Sequence, residues 1–296
     1  MLSTDELDIA VPEAGTMRVM RWGQGPRQAL AVHGITASGM CWRPVARALP
    51  EEWSLYAPDL RGRGHSAGLG GPYGLGRHVA DLLALLRPLG LDRPVLAGHS
   101  MGAYVALLAV AASPEQFGGL LLVDGGLPLP VPNGADLDDV LAATLGPALS
   151  RLSQTFPSES AYLDFWRAHP AFSSTWNSDI EDYVRYDLTG PPGAMRSRSV
   201  PGAVQADGRD LLSAADRLAA ALRGLAMPAH LLTAPAGMFG RPPGMLPAEV
   251  CSQWLAQAPG LTHETVPDTN HYTLLLDPAA PAVVAERLVR QSHHSR

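Results

Sequence analysis

Short apolar runs that end in Gly, Pro or Asp alternate along this chain with longer segments in which apolar residues recur at helical spacing. Such runs read as buried strands, and their alternation with helices reads as a mostly parallel sheet with helices on both faces. The predicted strands are residues 29–33, 54–58, 94–98, 119–123, 229–233 and 261–266. The predicted helices are residues 40–48, 76–89, 101–112, 211–222, 248–258 and 280–290. From Gly125 to Gly208 the alternation stops, and amphipathic stretches at 137–156, 159–169 and 177–188 carry much of the chain's aromatic content. An insertion at the carboxyl end of a strand lies where open α/β sheets bind ligands. Residues 125–208 are therefore expected to form a helical lid on a core made of residues 1–124 and 209–296, with Trp166 and Trp176 contacting substrate. Aromatics packed only on one another are the other reading of the same spacing.

Composition narrows the class. The 296 residues are 46% hydrophobic and 17% charged, enough for one full core and unlike a disordered or fibrous chain. There are 28 acidic and 22 basic residues, net charge -6, and every cation is Arg. Without Lys there is no Schiff-base nucleophile, and no basic stripe offers itself to nucleic acid. Cys41 and Cys251 have neither metal-ligand spacing nor a disulfide pattern, so they read as reduced packing residues. The first residues are polar and acidic, and the longest apolar run, 101–112, falls short of the roughly 20 residues a membrane helix needs. The expectation is a cytoplasmic protein of unknown oligomeric state that binds neither nucleic acid nor membrane.

Gly98-His99-Ser100-Met101-Gly102 stands between a predicted strand and a predicted helix. In that G-x-S-x-G context the two glycines allow a tight turn that lifts the serine hydroxyl above the sheet edge. Upstream, His33-Gly34-Ile35-Thr36 follows another apolar strand. An oxyanion hole needs two N–H donors, and the elbow arrangement expects them from Met101 and Ile35. His33, closing a strand, is expected to be a hydrogen-bonded structural residue. The order nucleophile, acid, histidine leaves His271, in Pro267-Asp268-Thr269-Asn270-His271-Tyr272, as the base. The other histidines sit in strands, in the elbow, in a helix or loop, in the lid or, for His293 and His294, in a polar tail.

On His33-Gly34, the segment from Ala57 to Ser66 (APDLRGRGHS), the Gly98 to Gly102 elbow and Asn270-His271, the chain resembles a lidded serine hydrolase of the α/β-hydrolase superfamily. The resemblance covers nearly the whole chain. It implies an eight-stranded sheet, a Ser-His-acid triad, no metal or organic cofactor, and a small-molecule substrate. Such enzymes most often carry the acid after the seventh strand, but nothing acidic lies between Asp216 and Glu249 here. Some relatives take it from the end of the sixth strand, where Asp124 stands. Asp268, three residues before His271, and a dyad without an acid are the alternatives. The aromatic lid suits a small to medium, partly apolar ester or lactone, cleaved through an acyl-enzyme. A cofactor-free lyase or peroxidase-like activity on the same triad, or a ligand sensor with little turnover, are rival readings.

Overall fold

The computed structural model describes residues 4–11, 15–129, 131 and 134–292; the tail histidines His293 and His294 lie outside them. Eight strands form one sheet: β1 (Thr4–Val11), β2 (Gly15–Trp22), β3 (Arg27–Val32), β4 (Trp53–Pro58), β5 (Val95–His99), β6 (Gly119–Val123), β9 (Ala229–Thr233) and β10 (Leu261–Thr265). A separate two-stranded ribbon pairs β7 (Leu188–Thr189) with β8 (Arg196–Ser197). The main sheet runs in the order β1-β2-β4-β3-β5-β6-β9-β10. β1 and β2 pair antiparallel, as do β2 and β4, and every other neighbour is parallel.

The helices are α1 (Arg43–Ala48), α2 (Leu75–Leu86), α3 (Met101–Ala112), α4 (Leu137–Leu152), α5 (Glu159–Arg167), α6 (Ser178–Asp187), α7 (Pro201–Leu212), α8 (Ala215–Arg223), α9 (Ala248–Gln257), α10 (Thr273–Leu276) and α11 (Ala280–Gln291). None of the described helices is long and apolar enough to cross a membrane. Because strand side chains alternate between faces, the central strands feed two cores. Leu30, Val32, Leu96, Leu120, Leu122 and Leu231 enter one with α2, α3 and α8. Ala29, Ala31, Ala97, Leu121, Val123 and Leu232 enter the other with α1 and α11. α3 lies against β5 and β6, and its apolar MGAYVALLAVAA sequence is buried on nearly every side.

Three differences from the sequence expectation have local causes. The first helix opens with a 3-10 turn, Gly39–Trp42, before α1. The helix expected at 211–222 is broken at Ser213-Ala214, so Leu211 and Leu212 belong to α7 and the rest to α8. The boundary expected at Gly208 falls inside α7, so dividing the chain there would cut a helix whose Pro201 start and Leu212 end are both well formed. Elsewhere between β6 and α7 the expected helices are present and side-chain capped. Asp136 accepts from the Asp138 and Asp139 N–H groups, Ser158 from Ala161, and Asn177 from Asp179 and Ile180.

Candidate active site

Ser100 sits on the turn from β5 into α3 at φ 54°, a region L-residues rarely adopt. The flanking glycines are needed for space rather than flexibility. A Cβ on Gly98 would overlap the Gly102 carbonyl, and one on Gly102 would overlap the Val32 carbonyl. The elbow thus wedges between β3 and the start of α3, and the Ser100 N–H donates to Val123 O at 2.9 Å.

The loop after β10 brings His271 over the elbow. Its Nε2 lies 3.1 Å from Ser100 Oγ and its Nδ1 2.7 Å from Asp124 Oδ2. Asn270 shapes this loop: its Oδ1 accepts from the Tyr272 and Thr273 N–H groups, and its Nδ2 donates to Ala171 O at 2.9 Å. Asp124, 2% exposed, ends β6 at φ 47°. Its N–H donates to Leu232 O, and its Oδ1 accepts from Ala234 N–H at 3.3 Å. Asp124 rather than Asp268 therefore meets the histidine. Asp268 is exposed, with φ 56°, and makes no described hydrogen bond to the His271 ring.

Gly34 faces Ser100 so closely that a Cβ there would lie 3.1 Å from Ser100 Cβ. Among the described residues neither the Ile35 nor the Met101 N–H has a hydrogen-bond partner, and both residues line cavities that open on Ser100. His33 is structural, as expected. Its Nε2 accepts from the Leu60 N–H at 2.9 Å and its Nδ1 donates to Gly34 O at 2.7 Å, which fixes one neutral tautomer. Burial holds its pKa down at about 3.

Two cavities meet at Ser100. One, of about 440 Å³, runs past Thr36, Cys41, Tyr183 and Tyr272. The other, of about 550 Å³, lies between α4 and α7 and is lined by Leu141, Leu145, Leu211, Leu212, Met245 and Leu246. Among the described residues no Arg lines either one. The expectation for Trp166 and Trp176 is corrected here, because neither lines these cavities. Trp166 is 4% exposed, packed among Tyr162, Phe172 and Tyr272 with the Arg151 guanidinium 4.9 Å over its ring. Trp176 lies under Arg167, with its indole N–H toward Glu181. Trp166 on α5 and Trp176 in the loop before α6 both pack within their own segment, and side chains such as Leu141, Leu145 and Tyr183 face the cavities instead.

One positioning group had no signature in the sequence beyond its place in the elbow. His99 Nε2 donates to the His271 carbonyl at 2.8 Å, and the two rings lie 4.6 Å apart. Burial drives the His99 pKa well below its usual value, so it stays neutral beside His271. Among the described residues no group of three or more His, Cys, Asp or Glu side chains has the geometry of a metal site.

A family model described as "Alpha/beta hydrolase family" matches residues 29–287. The lipase LipV of Mycobacterium tuberculosis is 37% identical over 130 residues, 44% of this chain and 48% of the lipase. The N-formylmaleamate deformylase of Pseudomonas putida is 39% identical over 108 residues, 36% of this chain and 40% of that enzyme. The matched stretches thus span less than half the length of either relative. In structure, E-2-(acetamidomethylene)succinate hydrolase superposes with a TM-score of 0.80 at 20% identity, covering 97% of this chain and 100% of that one, a likeness of fold.

Proposed function

We propose, from the premise that the chain belongs to the alpha/beta hydrolase family, that it is a serine hydrolase of small to medium, uncharged and partly apolar carboxylic esters or lactones. The observation that carries this reading is the continuous relay from Ser100 Oγ through His271 to Asp124, set where two apolar cavities meet. In the proposed reaction His271 Nε2 takes the Ser100 proton as Oγ attacks the ester carbonyl. Asp124 keeps the imidazole in the Nδ1–H tautomer and stabilises the imidazolium without taking the proton. The Ile35 and Met101 N–H groups receive the oxyanion that forms. The tetrahedral adduct expels the alcohol, which takes the proton from His271, and water then repeats the sequence on the acyl-enzyme.

The substrate preference rests on the cavity walls. A carboxylate-bearing substrate, of the kind the deformylase's name denotes, needs a cationic partner once desolvated. Among the described residues neither lining supplies an Arg, whereas Leu and Met side chains favour alkyl groups. Residues 125–208, through α4, α6 and the first part of α7, supply much of that wall and act in this reading as the lid.

Stoichiometric labelling of the purified protein by a fluorophosphonate, absent in Ser100→Ala, is the expected result. It is to be paired with a panel of neutral and carboxylate-bearing acyl esters. Labelling of Ser100→Ala at the wild-type rate would overturn the nucleophile. Faster turnover of the charged esters would overturn the substrate class.

A further inference from the structure

The segment Arg61-Gly62-Arg63 after β4 has no part in the relay, yet it reaches the loop that carries Ile35. Arg63 Nε donates to Ile35 O at 2.9 Å, while His33 Nδ1 donates to Gly34 O at 2.7 Å. The Ile35 N–H belongs to the peptide whose oxygen is Gly34 O, and in a trans peptide the two point in opposite directions. The two side chains therefore hold the peptide planes on either side of Ile35, and between them fix where its N–H points. Gly34 has no side chain to restrict that rotation, so the restriction comes from outside the loop.

Arg63 is itself held from two sides. Its Nη1 donates to Arg61 O at 2.9 Å and forms an ion pair with Asp207 of α7, both side chains being 0% exposed. Asp207 also accepts from Gly74 N–H at 2.5 Å and from His78 Nε2 at 2.9 Å. One turn earlier on α7, Ala203 packs on Gly62, and the Val200 N–H donates to Gly62 O at 2.8 Å. Ala203 and Asp207 are four residues apart and share one helix face. Just beyond them, Gly208, Leu211 and Leu212 line the larger cavity. A fully buried ion pair is a poor source of stability compared with an apolar replacement, so its use here calls for another role.

We propose that Arg63 is a positioning residue for the oxyanion hole, clamping Ile35 so that its N–H faces Ser100, and that Asp207 ties this clamp to the helix lining the larger cavity. The inference rests on the reading of Ser100 as nucleophile and of Ile35 as an oxyanion donor. It makes the polarity of the hole depend on how α7 is seated, and so connects occupancy of the cavity with the readiness of the site.

An aryl trifluoromethyl ketone tests it. Ser100 Oγ bonds to the ketone carbon, the carbonyl π pair becomes an oxyanion held in the hole, and the Ser100 proton passes to His271. Arg63→Lys keeps a charge for Asp207 but loses the planar fork that also reaches Ile35 O. The paired Arg63→Gln/Asp207→Asn variant removes both charges and leaves neither unpaired. In whichever of these melts as a folded protein, kcat and the affinity for the ketone are expected to fall together, by about 10- to 100-fold, because a mispointed oxyanion donor loses part of the roughly 100- to 1,000-fold that removing one costs. KM for a neutral ester is expected to change by less than about threefold, since the ground-state carbonyl gains little from the hole. A folded variant that keeps the ketone affinity overturns the proposal, as does one whose loss lies wholly in KM. Ser100→Ala measured alongside separates the two readings: if it retains turnover, the nucleophile assignment fails, whereas its inactivity with an unaffected Arg63 variant removes only the clamp.

Discussion

Ser100 and Asp124 both hold a left-handed backbone, with φ of 54° and 47°. Positive φ costs of order 1–3 kcal/mol at a non-glycine residue and persists where surrounding contacts enforce it. Here they are enforced by the same neighbours: the Ser100 N–H donates to Val123 O, the residue before Asp124, and a Cβ on Gly125 would overlap the Ser100 carbonyl. Ser100 and Asp124 are thus set by one contact between adjacent strands. Asp124→Asn preserves the turn but removes the ionic partner of His271 Nδ1, so kcat for ester turnover is expected to fall by about 10⁴-fold. Asp268→Asn, at an exposed position, is expected to stay within about twofold. Steady-state kinetics on the two purified variants checks the pair, and the reverse ranking would move the acid. The sequence made Asp124 eligible through chain order and the lack of any carboxylate from 217 to 248, but its orientation follows from the φ of 47°, which no residue type announces.

Among the elements, α4 and α7 both line the larger cavity beside Ser100. They pack against each other, and at Gly208 an added Cβ would meet the Leu141 side chain at 2.5 Å. Leu211→Phe is expected to fill the cavity between them without touching the relay. Each buried methylene contributes about 0.8 kcal/mol, so excluding three of them lowers kcat/KM for a long-chain ester by roughly 50-fold. An acetate ester of a small alcohol should be nearly unaffected, and equal losses on both esters would point to general misfolding. Trp176→Leu, at a side chain that lines neither cavity, should leave the ratio of long-chain to short-chain rates within about twofold. Which elements were legible follows from what each one buries. The strands from β3 onward that flank the elbow are buried on both faces and read as continuous apolar runs. The outermost pair was not foreseen, because β1 (TDELDIAV) alternates exposed and half-buried residues and lacks any such run. The break between α7 and α8 escaped too, since Leu211-Leu212 continues the apolar phase and the chain turns at Ser213-Ala214 without Gly or Pro.

Over the whole molecule, buried titratable groups link the site to acid stability. Burial holds His33 at about 3 and His99 well below its usual value, so both stay neutral in the fold, whereas in the unfolded chain each takes up a proton below about 6.5. Their contribution to stability is fully present above that pH and is lost as pH falls below it, toward about 3 for His33, because only the unfolded state binds the protons. Asp59 opposes them. Burial raises its carboxyl to about 6, against hydrogen bonds from the Gly39 and His65 N–H groups and the Tyr186 hydroxyl. Between about 6 and 4 the folded protein therefore holds a proton on Asp59 that the unfolded chain has lost, and stability from this group grows as pH falls. Among these three groups alone, two histidines against one aspartate leave a net loss of about one proton's worth, or roughly 1.4 kcal/mol per pH unit across that window, and the lowered pKa values of His65, His169, His230 and His263 act in the same direction. Urea midpoints at pH 7, 6, 5 and 4 are expected to fall accordingly. His33→Gln, whose amide retains a donor and an acceptor, is expected to flatten the slope by about one proton, and Asp59→Asn to steepen it by a similar amount. An unchanged slope in His33→Gln would place the proton uptake outside the strand end that supports Ile35. A flattened slope in Asp59→Asn would mean that this carboxylate stays ionised in the fold, held by its three donors against the cost of burial.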